Sequence, residues 1–358
     1  MSLLKTPLHD WHVSQKAKMA PFAGWDMPIQ YTGIIAEHMQ TREKAAVFDI
    51  CHMGEFILKG AGAKDALAKA LTINLDTLKI GRCRYGFLLN EQGGILDDLI
   101  VYHIDTDHYM IVVNAGCRGN DFAAIASRLP SSLSFTDVSD AMGKIDLQGP
   151  KSLEALERIQ PGPWRQMPYF GMVHAEFGGK PLLVSRTGYT GELGFELYVP
   201  WDKTLALWEA CLADADVAPA GLGARDTLRL EVGLPLYGQD LDDGHTPAEA
   251  GYSAMLTSAA DYVGKANATN VREKLVGLSI PSRRSARHHD AVMLDGKQVG
   301  TVTSGSFAPS LGNSVALAYI NADHADADAF VIVSGKNELA ATRTDTPFYT
   351  KGTARIKL

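Results

Sequence analysis

Apolar positions in this chain fall in short segments, and their period changes from one segment to the next. Spacings of three and four residues predict helices over Tyr31–Ala46, Gly62–Ala70, Asn120–Arg128, Pro150–Arg158, Thr204–Ala213 and Leu222–Val232. Alternating or continuous apolar runs predict strands over Gly54–Lys59, Ile95–Ile104, Tyr109–Val113, Leu182–Ser185, Phe195–Val199 and Val299–Ser304. Helices and strands do not alternate regularly. That argues against a doubly wound parallel sheet and for an α+β fold with mixed sheets. The polar stretch Gly264–Lys274 precedes Leu275-Val276-Gly277-Leu278, where a strand restarts, and the pattern stays β-like to Leu358. The expected division is a larger domain over 1–265 and a small β-domain over 266–358.

One strand breaks the apolar rule. Ile95-Leu96-Asp97-Asp98-Leu99-Ile100-Val101-Tyr102 carries two acids inside an apolar run, and burying a carboxylate is costly without partners. Strand side chains alternate, so Asp98 shares a face with Leu96, Ile100 and Tyr102, and Asp97 faces the other way. Asp105-Thr106-Asp107 reads as a turn. A hairpin symmetric about Thr106 sets Asp98 opposite Asn114 and Tyr102 opposite Met110, about 5 Å apart. One face would then present a carboxylate, an amide and a phenol, although a one-residue slip would undo this.

Composition narrows the setting. Among 358 residues, 46% are hydrophobic and 21% charged, with a net charge of −7. This is the balance of a globular enzyme, and it argues against a nucleic-acid surface, which would be basic. The longest apolar runs, such as Val315–Ile320, are far too short for a membrane span. Lys5, His9 and Asp10 interrupt any apolar leader. Cys51, Cys83, Cys117 and Cys211 lack metal or redox spacing. The expectation is a reduced, cytoplasmic protein with no metal, nucleic-acid or membrane partner. No P-loop, dinucleotide fingerprint or nucleophile elbow occurs. The acidic stretch Asn321–Asp328 lacks the glycine and terminal glutamate of a calcium loop. The adjacent His288 and His289 would point apart on a strand, so both segments read as loops.

Two further segments are chemically dense. In Arg186–Glu196, Gly188 and Gly191 permit close approach. Glu196 either faces solvent or offers two oxygens to a planar pair of N–H groups. Gly221–Glu231 opens a helix after a glycine turn, with Arg225 and Arg229 one turn apart. These cations either bind a carboxylate-bearing ligand or pair with acidic neighbours such as Asp226 and Glu231.

Taken together, these segments resemble the T-protein (aminomethyltransferase) family of the glycine cleavage system. The likeness runs through Pro21–Pro28, Phe48–Gly54, Asn90–Asp98, Thr187–Glu196, Gly221–Glu231 and Leu236–Asp240, then Val302–Gly305 and Pro347–Tyr349. It covers nearly the whole chain in one order. The resemblance implies a three-lobed fold with a C-terminal antiparallel β-barrel, built around a channel for tetrahydrofolate. It implies transfer of a methylene unit from the aminomethyl-dihydrolipoyl arm of a transiently bound H-protein, with release of ammonia. By motif, Asp98 matches the catalytic aspartate. Tyr85, Tyr102, Asn114, Tyr189, Glu196 and Arg229 match folate contacts, and Tyr169 matches a further one through less distinctive flanks. A monomer is expected. Cys51 replaces a serine usual in the family, which reads as a packing change, and Gly251–Leu256 lacks a tryptophan expected near Ala254. Two alternatives remain beside glycine cleavage. One is a same-fold folate-dependent demethylase or methyltransferase with another donor. The other is a non-catalytic folate-binding accessory protein, whose lysine-glycine-cysteine signature is replaced here by Asp261–Lys265.

Overall fold

All six predicted helices form in the computed structural model, which describes residues 2–358. They run over Ile34–Glu43, Ala63–Ala70, Arg118–Arg128, Ser152–Ile159, Thr204–Leu212 and Leu222–Glu231. The first is shorter than its apolar pattern suggests, because Ala45 and Ala46 belong to a strand, Ala45–Asp49. That strand is buried on both faces: Ala45 and Val47 pack into one cluster, Ala46 and Phe48 into another. A continuous apolar run carries no period to separate strand from helix. A short helix, His9–Ser14, was not foreseen.

Two sheets and a barrel carry the fold. A six-stranded sheet orders Met172–Phe177, Lys180–Ser185, Gly194–Pro200, Met142–Gln148, Ala45–Asp49 and Val217–Pro219, with only the last pair parallel. A five-stranded antiparallel sheet orders Arg82–Leu89, Ile95–Asp105, His108–Val113, Gly54–Lys59 and Ser134–Asp137. Six strands from Glu273–Ile280 to Asn337–Thr344 close into an antiparallel barrel, as the α+β reading with a C-terminal barrel expects. The run Val315–Ile320 owes its continuity to burial on both sides. Ala316, Ala318 and Ile320 fill the barrel, and Val315 and Leu317 pack outward against Leu230.

The helix Leu222–Glu231 ties the lobes together. Ala224 and Leu228 pack on Phe48 and Ile50, while Leu230 reaches the barrel. Its start admits only glycine: a Cβ on Gly221 would collide with the Ile29 backbone. Arg42, buried under this helix, pairs with Glu192 at 2.8 Å and Glu231 at 3.0 Å. Among the described residues no helix is long and apolar enough to cross a membrane.

Candidate active site

The hairpin register is the one expected. Ile100 pairs with Val112 and Tyr102 with Met110, which carries Asn114 to the end of the ladder beside Asp98. The Asn114 side-chain amide donates to Asp98 Oδ1 at 2.8 Å and to Asp97 Oδ1 at 2.8 Å, and its backbone N–H donates to Asp97 Oδ2 at 2.9 Å. One asparagine therefore holds both carboxylates, which lie on opposite faces. Asp97 is fully buried against the Arg118–Arg128 helix, whose Asp121 faces it. Asp98 lies deep but keeps part of its surface open.

No lysine or arginine pairs with Asp98 among the described residues. Burial, and then the Asp97 charge, push its carboxyl up to about 7. Tyrosines surround it. Among the described residues the buried Tyr85 hydroxyl has no hydrogen-bond partner, and the Tyr85 and Tyr252 rings lie 5.8 Å apart. The Tyr189 hydroxyl donates to the Pro235 carbonyl. The turn leading into the acidic strand admits no side chain at Gly94, where a Cβ would strike the Asp243 carbonyl.

Tyr102 shares the Asp98 face but works at the other end of the strand, where it crosses to the six-stranded sheet. Its hydroxyl meets Ser185 at 3.1 Å, Tyr198 at 2.9 Å and Glu196 Oε2 at 3.2 Å. Glu196 is thus buried rather than solvent-facing. Tyr198 also donates to Oε2 at 2.9 Å, and Lys144 pairs with the same oxygen at 3.2 Å. Burial alone would raise this carboxyl. The Lys144 charge and the Tyr198 hydroxyl outweigh it and hold Glu196 below the usual glutamate range. All three polar contacts converge on Oε2, and among the described residues none reaches Oε1.

The two ends form one wall. Asp146 lies beside Glu196 in the sheet register and pairs with Arg225 at 2.5 Å. Arg225 lies over the Tyr189 ring, 5.0 Å from its centroid, so Arg225 crosses to Asp146 instead of pairing with its helical neighbours. Arg229 is buried and fully engaged: it pairs with Asp226 at 2.8 Å and Asp240 at 2.7 Å, and donates to Ser304 at 2.8 Å. Arg355 lies over the Tyr169 ring, 5.6 Å from its centroid. Cys51 is a packing residue whose sulfur meets the Lys144 backbone at 3.3 Å.

Sequence reasoning missed Lys144, Tyr198 and Asp146, the partner of Arg225. The signal was present in Met142–Gln148, where Lys144, Asp146 and Gln148 alternate with Ile145 and Leu147. It is the pattern that singled out Asp97 and Asp98, polar groups inside an apolar strand, and all three are buried.

A barrel set against two sheet-and-helix lobes, with buried carboxylates and tyrosines where the two sheets meet, is the layout of a three-lobed one-carbon transferase. The family model of the GCVT N-terminal domain matches residues 8–259, and that of the glycine cleavage T-protein C-terminal barrel domain matches 273–350. The chain is 39% identical to an aminomethyltransferase of Exiguobacterium sibiricum and 40% identical to one of Listeria monocytogenes, over 97% of this chain and 98% of each relative. It superposes on the crystal structure of glycine cleavage system aminomethyltransferase T from Bartonella henselae with a TM-score of 0.92 and 32% identity, covering 98% of this chain and 99% of that one. The chain belongs to the glycine cleavage T-protein family and is an aminomethyltransferase.

Proposed function

We propose that this enzyme moves the methylene unit from the aminomethyl-dihydrolipoyl arm of H-protein to tetrahydrofolate, with release of ammonia. The observation that carries this reading is the pairing, on one wall, of an uncompensated carboxyl (Asp98) with a lysine-compensated one (Glu196) that keeps a free oxygen. Fit to a reduced pterin is supported by that free Oε1, by the unpartnered Tyr85 hydroxyl and by the flat tyrosine faces. Glu196 would hold the pterin N–H edge, and Tyr85, Tyr102, Asn114, Tyr169 and Tyr189 would frame the site. Arg229 has its donors committed to Asp226, Asp240 and Ser304, so it would act by fixing that wall. When bound, tetrahydrofolate supplies the nucleophilic nitrogen that accepts the one-carbon unit.

The chain's own chemistry centres on Asp98. Ionised, it places negative charge where positive charge develops as ammonia departs, in a setting with little water to screen it. With its carboxyl near neutrality, it also exchanges a proton at little cost. Asn114 fixes the carboxyl by donating to Oδ1 at 2.8 Å. The H-protein arm would arrive transiently, at an enzyme monomer, past the exposed Arg283, Arg284 and Arg287. That segment is fastened to the barrel by His288, 2.6 Å from the Thr303 carbonyl. In this reading 1–265 form the folate-binding domain and 266–358 the barrel. A tetrahydrofolate-dependent assay with aminomethylated H-protein, run beside small methylated amines and sulfonium donors, tests the reading. Turnover with the carrier alone supports it, and preference for a small donor would reject it.

A further inference from the structure

Behind Asp98 lies a second acidic arrangement that the reaction as described does not use. One carboxylate oxygen each of Asp97 and Asp121 and the Cys117 sulfur lie within 4.8 Å of one another. Asp97 and Asp121 are 0% and 1% exposed. Asn114 saturates one side of Asp97, donating to both of its oxygens. Asp121 Oδ2 is buried with no hydrogen-bond partner among the described residues. No lysine, arginine or histidine pairs with either acid among the described residues, and Arg118, the nearest cation in sequence, turns away to Asp137 and Asp140. The other titratable groups facing the pair are Asp98 on the same strand, Cys117 at the helix start and Tyr237 from the segment after Leu222–Glu231.

Two ionised carboxylates cannot face each other in such a place without a cation. One proton between them resolves the charge and satisfies the orphaned oxygen at once. We infer that Asp121 carries a proton on Oδ2 and donates it to Asp97, so that the two acids share one negative charge, and that Asn114 couples this pair to Asp98. Asp121 is then a positioning residue. Its proton keeps Asp97 an acceptor with a single charge, Asp97 orients the Asn114 amide, and that amide orients Asp98. Burial, then the Asp97 charge, raise Asp121 to about 10, so the proton stays in place at physiological pH. The coupling to Asp98 rests on the role proposed for it above; the shared proton does not.

The test is therefore first made without turnover. Infrared difference spectra of the substrate-free full-length protein near pH 8 should contain a buried protonated-carboxyl band. Asp121→Asn should remove it, and Asp98→Asn should leave it. Asp121→Asn, which still donates to Asp97, should keep turnover within about threefold of wild type, whereas Asp121→Ala should lose on the order of tenfold or more, as expected when a buried acceptor loses its donor. The double variant Asp97→Asn with Asp121→Asn removes the charge beside Asp98 and should move the acid limb of the activity profile down by about one pH unit. Absence of an Asp121-dependent protonated-carboxyl band would overturn the shared proton. So would one equivalent of a divalent metal that co-purifies with wild type and is lost in Asp121→Asn. A band that behaves as expected, with an acid limb unmoved in the double variant, would overturn the coupling alone.

Discussion

Asp98 and Glu196 stand at two ends of one wall, both deep in the protein, yet they are pushed in opposite directions. Glu196 has Lys144 at 3.2 Å and two tyrosine hydroxyls on the same oxygen, and its charge is held. Asp98 has an asparagine amide, tyrosine rings and a second acid behind it, and its charge is conditional. Burial is common to both, so the neighbouring charge decides the outcome. A carboxylate meant to bind is best left permanently ionised. A carboxyl meant to stabilise developing charge and exchange protons works best near the operating pH.

That contrast can be broken most severely at Asp98. Asp98→Asn keeps the shape and removes the charge, and turnover should fall about 10²–10⁴-fold while tetrahydrofolate affinity changes little. Wild-type turnover would remove Asp98 from the reaction. Asp97→Asn, on the opposite face, should cost less turnover. At the other end, Glu196→Ala should weaken tetrahydrofolate binding by about ten- to a hundredfold, the worth of charge-assisted hydrogen bonds of about 1.5–3 kcal/mol. Unchanged affinity by titration calorimetry would mean that Oε1 is not the pterin acceptor.

Stability sharpens the comparison more gently. The native Asp98 carboxyl is raised to about 7, above an unfolded value of about 3.9. Its contribution is fully present below about pH 4 and is lost as pH rises through about 7. Asp98→Asn removes this loss, so its melting temperature relative to wild type should climb across that window and then level off. A difference independent of pH would show that Asp98 titrates normally. The smallest effect lies furthest from the wall. Arg284→Glu with Arg287→Glu should raise the Michaelis constant for aminomethylated H-protein several-fold, an effect that salt mimics in wild type, with folate affinity untouched. Normal use of the carrier by this variant would place docking elsewhere.

Much of the fold, and the Asp98 end of the wall, was legible in the sequence, whereas the opposition of the two carboxyls was not. The six helices, a β-rich C-terminal domain and the hairpin register follow from apolar period and turn residues, because local pattern sets them; closure of that domain into a barrel was implied by the family resemblance. The Ala45–Asp49 strand was partly lost to a helix because burial on both faces erases the period. Asp98 and Asn114 were placed together by register arithmetic within one hairpin. Lys144 reaches Glu196 from a neighbouring strand some fifty residues away, and Asp121 reaches Asp97 from a separate helix. No local pattern announces which polar residues of different elements will meet. For the same reason neither alternative weighed for Arg225, a ligand carboxylate or its helical neighbours, named its partner Asp146, which the tertiary fold supplies.

The opposition of the two carboxyls is tested most directly by titrating both in one sample. Carboxyl-carbon magnetic resonance of the full-length protein labelled at aspartate and glutamate, with signals assigned through Asp98→Asn and Glu196→Gln, reads each group through the pH range. The expected result is an Asp98 midpoint near 7 and a Glu196 signal that stays ionised to below the usual glutamate range. An Asp98 midpoint in the ordinary aspartate range, or a Glu196 that titrates above its usual value, would contradict the division of the wall into a binding carboxylate and a reacting one.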